Sequence, residues 1–328
     1  MDERNGGADI YAQRYSSDGS AVGTNFKVND GHESEDLEFP SICTDSSGNF
    51  VITWMDERNG DWDIYAQRYS SDGSTLGDNF KVNDELGSSG HIKPCISTDD
   101  SGNFVITWAD RRNGKLDIYA QRYSSNGTAL GDNFKVNGDQ GSADQVFPAI
   151  STDDIGNFVI TWCSHDDNIY AQRYSNDGSA VGTNFKVNDG QNSIGWWPHG
   201  PSICLDDNGN FAITWCGEHN GDHDIYAQHY SSDGSAIGAN FKVNDDQGKV
   251  TQMSPSISTD DSGNFLITWA DGRNGKVNSE GDDIYDLYGQ YYSSDGSALG
   301  DNFKVNINSE MIDYFWIGIN SVSVSADG

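Results

Sequence analysis

One phrase is copied down the length of this chain. DIYAQRY, or a near copy, begins at Asp9, Asp63, Asp117, Asn168, Asp224 and Asp286. A second phrase, GNFVITW or a close variant, ends on Trp54, Trp108, Trp162, Trp215 and Trp269. Those tryptophans are spaced 54, 54, 53 and 54 residues apart. A fixed period of this size, dense in short apolar runs, points to one supersecondary unit that buries its faces against copies of itself. Length then stops counting domains: 328 residues would make two average domains, but here they read as a single array.

Residues 40–83 show what one copy contains. PSICTD is a short apolar strand and SSGN turns the chain. NFVITW follows, and Phe50, Val51, Ile52 and Trp54 make it almost continuously apolar, the pattern of a strand covered on both faces. DERNGDWD holds Asn59-Gly60, a hairpin pair because both residues tolerate positive φ. DIYAQRYS, rich in Ile and Tyr, is the third strand, SSDGSTLGDN the next hairpin, and NFKVN the fourth strand. No helical periodicity occurs. Four antiparallel strands, covered by neighbours on both faces, make a propeller blade.

The expected fold class is therefore all-β, a β-propeller with six four-stranded blades. Five are complete, at about 40–83, 94–137, 148–188, 201–244 and 255–306. The sixth is split between residues 1–30 and 319–328: MDERNGGADIYAQRY aligns with the segment starting at Met55, and INSVSVSADG matches a first strand and its turn. Closure by both termini removes exposed sheet edges. That blade lacks an NFVITW strand, so the chain is expected to be a fragment of a longer array or to start at an internal Met.

The combination W-x-D-x-R-N-G, D-I-Y-A-Q-R-Y, D-G and G-x-x-F-x-V-N resembles the repeats of large secreted or surface proteins of bacteria, often described as sialidase-like. It covers essentially the whole chain. The resemblance implies a propeller and an extracellular or cell-surface address, but such rings serve many roles. The chain departs from the sialidase pattern in two respects. The spacing S-x-D-x-G-x-x-W is absent, because SSDGS has Gly directly after Asp, and no blade supplies a singular Tyr–Glu pair.

Net charge is −32, yet the acids are spread through turn phrases such as SSDGS and TDDSGN rather than gathered in a tail. Solvated turn carboxylates explain them first, with weak Ca2+ sites or a salt-adapted surface as the functional readings. No other cofactor is expected. Nucleic acid and anionic membrane are not expected as partners, since phosphate binding needs clustered Lys and Arg. No run of 18 apolar residues is present. Cys43 and Cys204 share one repeat position, Cys163 and Cys216 another, and Cys95 stands alone in its slot. With no CxxC, they read as small buried free thiols.

Chain direction reverses at each turn, so the loops between strands two and three share a face with the blade-to-blade connectors. The opposite face repeats TDDSGN and SSDGSALGDN with trivial changes. The first face is where copies disagree: its connectors read GHESEDLEF, ELGSSGHIK, DQGSADQVF, GQNSIGWWPHG and QGKVTQMS. Binding residues gather on variable loops held by a rigid scaffold. Most copies carry an Asp-x-Arg there (Asp2 and Arg4, Asp56 and Arg58, Asp110 and Arg112, Asp271 and Arg273). Such pairs either fork an anionic ligand or stabilise their own turn and the neighbouring blade, the repetition favouring the second.

Blades three and four break the rule. Their loops become CSHDDN, with His165, Asp166 and Asp167, and CGEHNGDHD, with Glu218, His219 and His223. Between them lie Trp196, Trp197 and His199. Six of the seven histidines (His32, His91, His165, His199, His219 and His223) are expected on this face, with no HxH or HExxH spacing for a metal. Adjacent tryptophans suit sugar stacking. The candidate ligand site is thus Trp196, Trp197, His199, His165, Asp166, Glu218, His219 and His223, with no catalytic residue assigned. The leading reading is an extracellular non-enzymatic binding module for a glycan or surface protein. One alternative is an assembly segment that self-associates through the incomplete blade, and the other is a sialidase-like glycosidase.

Overall fold

The computed structural model describes residues 9–30, 37–58, 60–84, 90–138, 143–189, 200–219, 222–245, 250–277, 283–306 and 312–313. Every regular element among them is a strand, and the fold class is the β-propeller. Two compact units divide the chain, Met1–Ser142 and Ala143–Gly328.

In the first unit, β1 (Tyr11–Tyr15) and β2 (Ala21–Lys27) form a two-stranded sheet. Blade one follows as β3 (Leu37–Thr44), β4 (Phe50–Asp56), β5 (Asp63–Tyr69) and β6 (Phe80–Lys81). Blade two is β7 (His91–Thr98), β8 (Phe104–Asp110), β9 (Asp117–Tyr123) and β10 (Phe134–Lys135). In the second unit, blade three is β11 (Gln145–Thr152), β12 (Phe158–Ser164), β13 (Asn168–Tyr174) and β14 (Ala180–Lys186). Blade four is β15 (Ser202–Leu205), β16 (Phe211–His219), β17 (Asp222–Tyr230) and β18 (Ala236–Lys242). Blade five is β19 (Gln252–Thr259), β20 (Phe265–Val277), β21 (Asp283–Tyr292) and β22 (Ala298–Lys304), with β23 (Ile312–Asp313) added to β21. Each blade is an antiparallel meander in chain order, as the four-strand reading expects. The proposed second half of the sixth blade, 319–328, lies outside the described residues.

The mostly apolar second strands are buried along their whole length in β4, β8 and β12. Covered on both faces, they join neighbouring blades into shared cores: Val51, Met55 and Ile64 of blade one pack with Ile96, Phe104 and Trp108 of blade two. Blade four's Cys216, Ile225 and Ala227 meet Ile257, Phe265 and Trp269 in the same way. All five cysteines are free. Burial holds the Cys204 and Cys216 thiols up at about 12, so they act as small apolar side chains.

In blades one, two, three and five the first strand is broken by a bulge just before its proline. Phe39, Lys93, Phe147 and Ser254 precede Pro40, Pro94, Pro148 and Pro255 and hold φ of 50°, 59°, 54° and 53°. The register slips at each of these points. Proline has no N–H for the ladder, so the extra residue is pushed out of it. Blade four alone has glycine here. A Cβ on Gly200 would lie 2.6 Å from Phe147 Cβ and 2.9 Å from the Phe147 carbonyl oxygen, so the two backbones meet where no side chain fits.

On the monotonous face, arginines from the third strands reach the next blade's turn. Arg68 donates to the carbonyls of Ser125 and Asn126, each at 2.7 Å. Arg14 does the same to Ser71 and Asp72, and Arg173 to Ser232 and Asp233. The turn aspartates are spent locally. Asp18 accepts from Ser16 Oγ and the Ser20 N–H, and these bonds hold its carboxyl down at about 2. Asp72, Asp233 and Asp295 repeat the arrangement.

Candidate functional site

The recurrent Asp-x-Arg is a structural clamp. In blade one the buried Asp56 carboxylate accepts from Trp54 Nε1 at 3.0 Å, from the Arg58 N–H at 2.9 Å and from the Arg58 guanidinium. The same guanidinium reaches back to Asp30 at 2.7 Å and lies 3.9 Å over the Tyr65 ring. Blade two repeats this with Trp108, Asp110, Arg112, Asp84 and Tyr119, and blade five with Trp269, Asp271, Arg273, Asp245 and Tyr288. Burial works against the charge of these arginines and of Asp110, but hydrogen bonds outweigh it, from the paired aspartate for each arginine and from His91 and then Arg112 for Asp110. Arg58, Arg112 and Arg273 are held above the usual guanidinium range and Asp110 below the usual carboxylate range. The ring of anion forks considered from sequence is instead a set of internal ion pairs, each closing its own hairpin onto the preceding connector.

His91 also leaves the candidate face. It opens β7, is 3% exposed, and places Nε2 3.3 Å from Asp110 and Nδ1 3.6 Å from Asp63. It is a core residue of the blade-two clamp, because β7 begins at His91 and the connector ends at Gly90, three residues earlier than the loop reading assumed. Trp62 is half-buried against the same core and its carbonyl accepts from the His91 N–H.

Blades three and four are different at these positions. In blade three the clamp Asp and Arg are replaced by Ser164 and Asp166. Gln145 supplies the missing acceptor: its Oε1 takes the Trp162 indole N–H at 2.8 Å and its Nε2 donates to Ser164 Oγ at 3.0 Å. The hairpin turns through His165, Asp166 and Asp167, with Asp167 at a φ of 65°. Tyr170 Oη donates to Asp166 Oδ2 at 3.0 Å, and burial followed by that carboxylate raises the phenol. His165 is 40% exposed at the side chain and stands 4.0 Å from Asp144.

In blade four the clamp positions hold Gly217 and His219. Glu218, His219 and His223 belong to strands rather than to a loop, because β16 and β17 run on to a pairing of His219 with Asp222. Cα partners share a face of the sheet. Trp215, Gly217, Tyr226 and Asp224 therefore lie on one face, and the Glu218–His223 pair lies on the other. The proposed cluster is divided by the sheet. Trp196, Trp197, His199 and His32 lie outside the described residues.

The sequence reading passed over two residues. Each blade's Trp stacks on the third-strand Tyr, at 6.3 Å for Trp162–Tyr170 and 6.4 Å for Trp215–Tyr226. In blades one, two and five a guanidinium covers that Tyr; among the described residues no cation covers Tyr170 or Tyr226. Tyr65 and Tyr119 are buried beneath their arginines, whereas Tyr170 and Tyr226 are half-buried, as is Tyr288. The signal was present as the Arg-to-Asp166 and Arg-to-His219 exchanges, but that the Arg roofs the third-strand Tyr, seven residues on in blades one and two and fifteen in blade five, is a fact of the hairpin. Lys186 is altered too. The equivalent lysines pair with the first Asp of DIYAQRY, as Lys81 does with Asp63 and Lys242 with Asp224, but blade three has Asn168 there. Among the described residues no group of three or more His, Cys, Asp or Glu is placed to hold a metal, and no helix is long and apolar enough to cross a membrane.

No protein-family model matches the chain, and no curated protein matches it. Solved structures similar to it include an α-L-arabinofuranosidase from Lactobacillus brevis, at 14% identity over 84% of this chain and 97% of that one, TM-score 0.45. An endo-arabinase from Bacteroides thetaiotaomicron is 16% identical over 83% of this chain and 95% of that one, TM-score 0.45. An α-L-arabinofuranosidase of Fusarium graminearum, in complex with arabinobiose, is 9% identical over 68% of each chain, TM-score 0.49. Likeness at this level concerns the fold and assigns no residue of this site. The sialidase-like description thus rests on the repeat phrases alone.

Proposed function

We propose that this chain is an extracellular, lectin-like carbohydrate-binding propeller that works through the loop-face ends of blades three and four. The observation that carries this reading is the loss of the guanidinium roof from Tyr170 and Tyr226, each backed by a buried tryptophan. A rigid aromatic face with polar groups at its rim suits a sugar: the ring covers C–H groups while neighbouring side chains bond hydroxyls. Asp166, held by Tyr170, is such a rim group in blade three.

The test is a glycan array followed by titration calorimetry on the parent chain, Tyr170→Ala and Tyr226→Ala. Each variant should bind at least ~10-fold more weakly, a loss of about 1.4 kcal/mol. Binding untouched by both substitutions sinks the assignment to these blades. A blank array moves the chain to the assembly reading.

Hydrolysis is the second reaction to assay, because the names of the similar structures are those of glycoside hydrolases. A panel of aryl glycosides, arabinosides and sialosides included, tests it directly. Turnover that Asp166→Asn or Glu218→Gln abolishes would replace binding with catalysis as the function of this face.

A further inference from the structure

The indole nitrogen of each core tryptophan needs an acceptor, since a buried N–H left unbonded costs as much as a lost hydrogen bond. Trp54, Trp108 and Trp269 donate to a clamp aspartate, and Trp162 donates to Gln145. Trp215 is 1% exposed and its Nε1 has no partner among the described residues. The reason is in the sequence: Gly217 stands where the clamp places Asp, and His219 where it places Arg. The strand pairing puts Trp215, Gly217 and the half-buried Tyr226 on one face of the sheet. A hydrogen-bond donor and an aromatic wall are thus left together where every clamped blade puts its own carboxylate.

Charge decides what kind of acceptor belongs there. The clamp carboxylate is tolerated in blades one, two and five because a guanidinium neutralises it. Blade four has lost that cation. The carboxylates around the Tyr226 hydroxyl are Asp224, Asp189 and Asp222, and burial first and then these charges hold it up at about 12. The cation that reaches Asp224, Lys242, is already paired to it. An anionic ligand would meet this negative field without compensation, whereas a neutral oxygen would not.

We propose that blade four is the hydroxyl-reading subsite of the carbohydrate surface, with the Trp215 indole N–H donating to a hydroxyl oxygen of a neutral sugar whose ring lies on Tyr226. This rests on the carbohydrate reading above and adds to it both the sugar class and the atom that selects it. Blade three lacks the property, because Gln145 already occupies the Trp162 donor.

The experiment rebuilds the clamp. Gly217→Asp/His219→Arg restores the W-x-D-x-R of the other blades, and a thermal melt at or above the parent's midpoint shows that it is folded. Parent and variant are titrated with neutral and uronic oligosaccharides, while the Trp215 indole N–H is followed by NMR. We expect the neutral sugar to shift that resonance in the parent, and the variant to bind roughly 10-fold more weakly or worse. A deoxy analogue lacking the bonded hydroxyl should be weakened several-fold. Sugar binding that is equal in parent and variant, with the Trp215 resonance unmoved, overturns this inference and leaves the carbohydrate reading standing. Preference for the uronic series overturns it as well. A parent that binds no sugar removes both.

Discussion

Blades four and five are successive copies of one repeat in the same unit, and they treat the same tryptophan in opposite ways. In blade five, Trp269 donates to Asp271 at 2.8 Å, Asp271 holds Arg273, and Arg273 covers Tyr288 and reaches Asp245. Of the fully buried side-chain nitrogens and oxygens in that cluster, only Arg273 Nε lacks a partner among the described residues. In blade four, Asp and Arg have become Gly217 and His219, and among the described residues the tryptophan nitrogen has no acceptor and the tyrosine ring no covering cation. The tryptophan, the tyrosine and the strand register between them are unchanged. The scaffold that positions the aromatic pair therefore does not depend on the clamp, which can be lost without any change in the strand register.

That separation breaks most sharply at the clamp itself. Asp271→Ala leaves the Trp269 N–H and the Arg273 guanidinium without their buried partner, and should cost about 3–5 kcal/mol in chemical denaturation. Ser164→Ala at the equivalent place in blade three removes one neutral bond to Gln145 and should cost about 1 kcal/mol. Equal losses would show that the clamp contributes no more than its geometry. Gly200→Ala comes next in size. Its Cβ would meet the Phe147 backbone and Cβ, which no rotamer change can relieve, so a loss of about 1–3 kcal/mol is expected. A neutral result would mean that β11 and β15 can move apart.

The scaffold was legible in the sequence because each blade states its strands in the same words: Phe50 to Trp54 reads as a doubly buried strand and is one. The clamp was half legible. Repetition of Asp56 and Arg58 marked it as structural, but nothing in the spacing told that the guanidinium lies on Tyr65. His91 misled for a related reason. Connector residues look alike until the register fixes where the strand begins, and pairing with Asp110 puts His91 inside it. Glu218 and His223 were placed with Asp166 because all three break the pattern, yet strand alternation sends that pair to the other face from Trp215.

Two smaller changes sharpen the comparison at the opposite ends of these blades. His229 of β17 stands where Arg68 and Arg173 make their inter-blade clamps, and its Nδ1 has no partner among the described residues. Burial lowers its pKa below 6.5. Between that lowered value and 6.5 the unfolded chain binds the proton and the folded chain does not. Stability from this group is therefore complete above 6.5 and falls with pH through that window. His229→Arg should remove this share of the acid sensitivity and add about 0.5–1.5 kcal/mol at pH 7 through bonds to the next turn. Melts from pH 5 to 8 that stay parallel to the parent's would rule the histidine out as a source.

The least effect is expected at Lys186. Its counterparts Lys81, Lys242 and Lys304 sit 2.6–2.9 Å from the first aspartate of their third strand, and Asn168 denies it that partner. Asn168→Asp restores the pair at an exposed ammonium, where solvent screens most of the gain, so about 0–1 kcal/mol is expected and it should fade with added salt. The new carboxylate would also stand close in sequence to Asp166 and Asp167, which subtracts from the benefit. A gain that survives 1 M salt would mean that the pair is shielded from water. In that case the blade-three surface around Tyr170 would be drier than its half-buried ring implies, and stacking there would count for more than the hydrogen bonds at its rim.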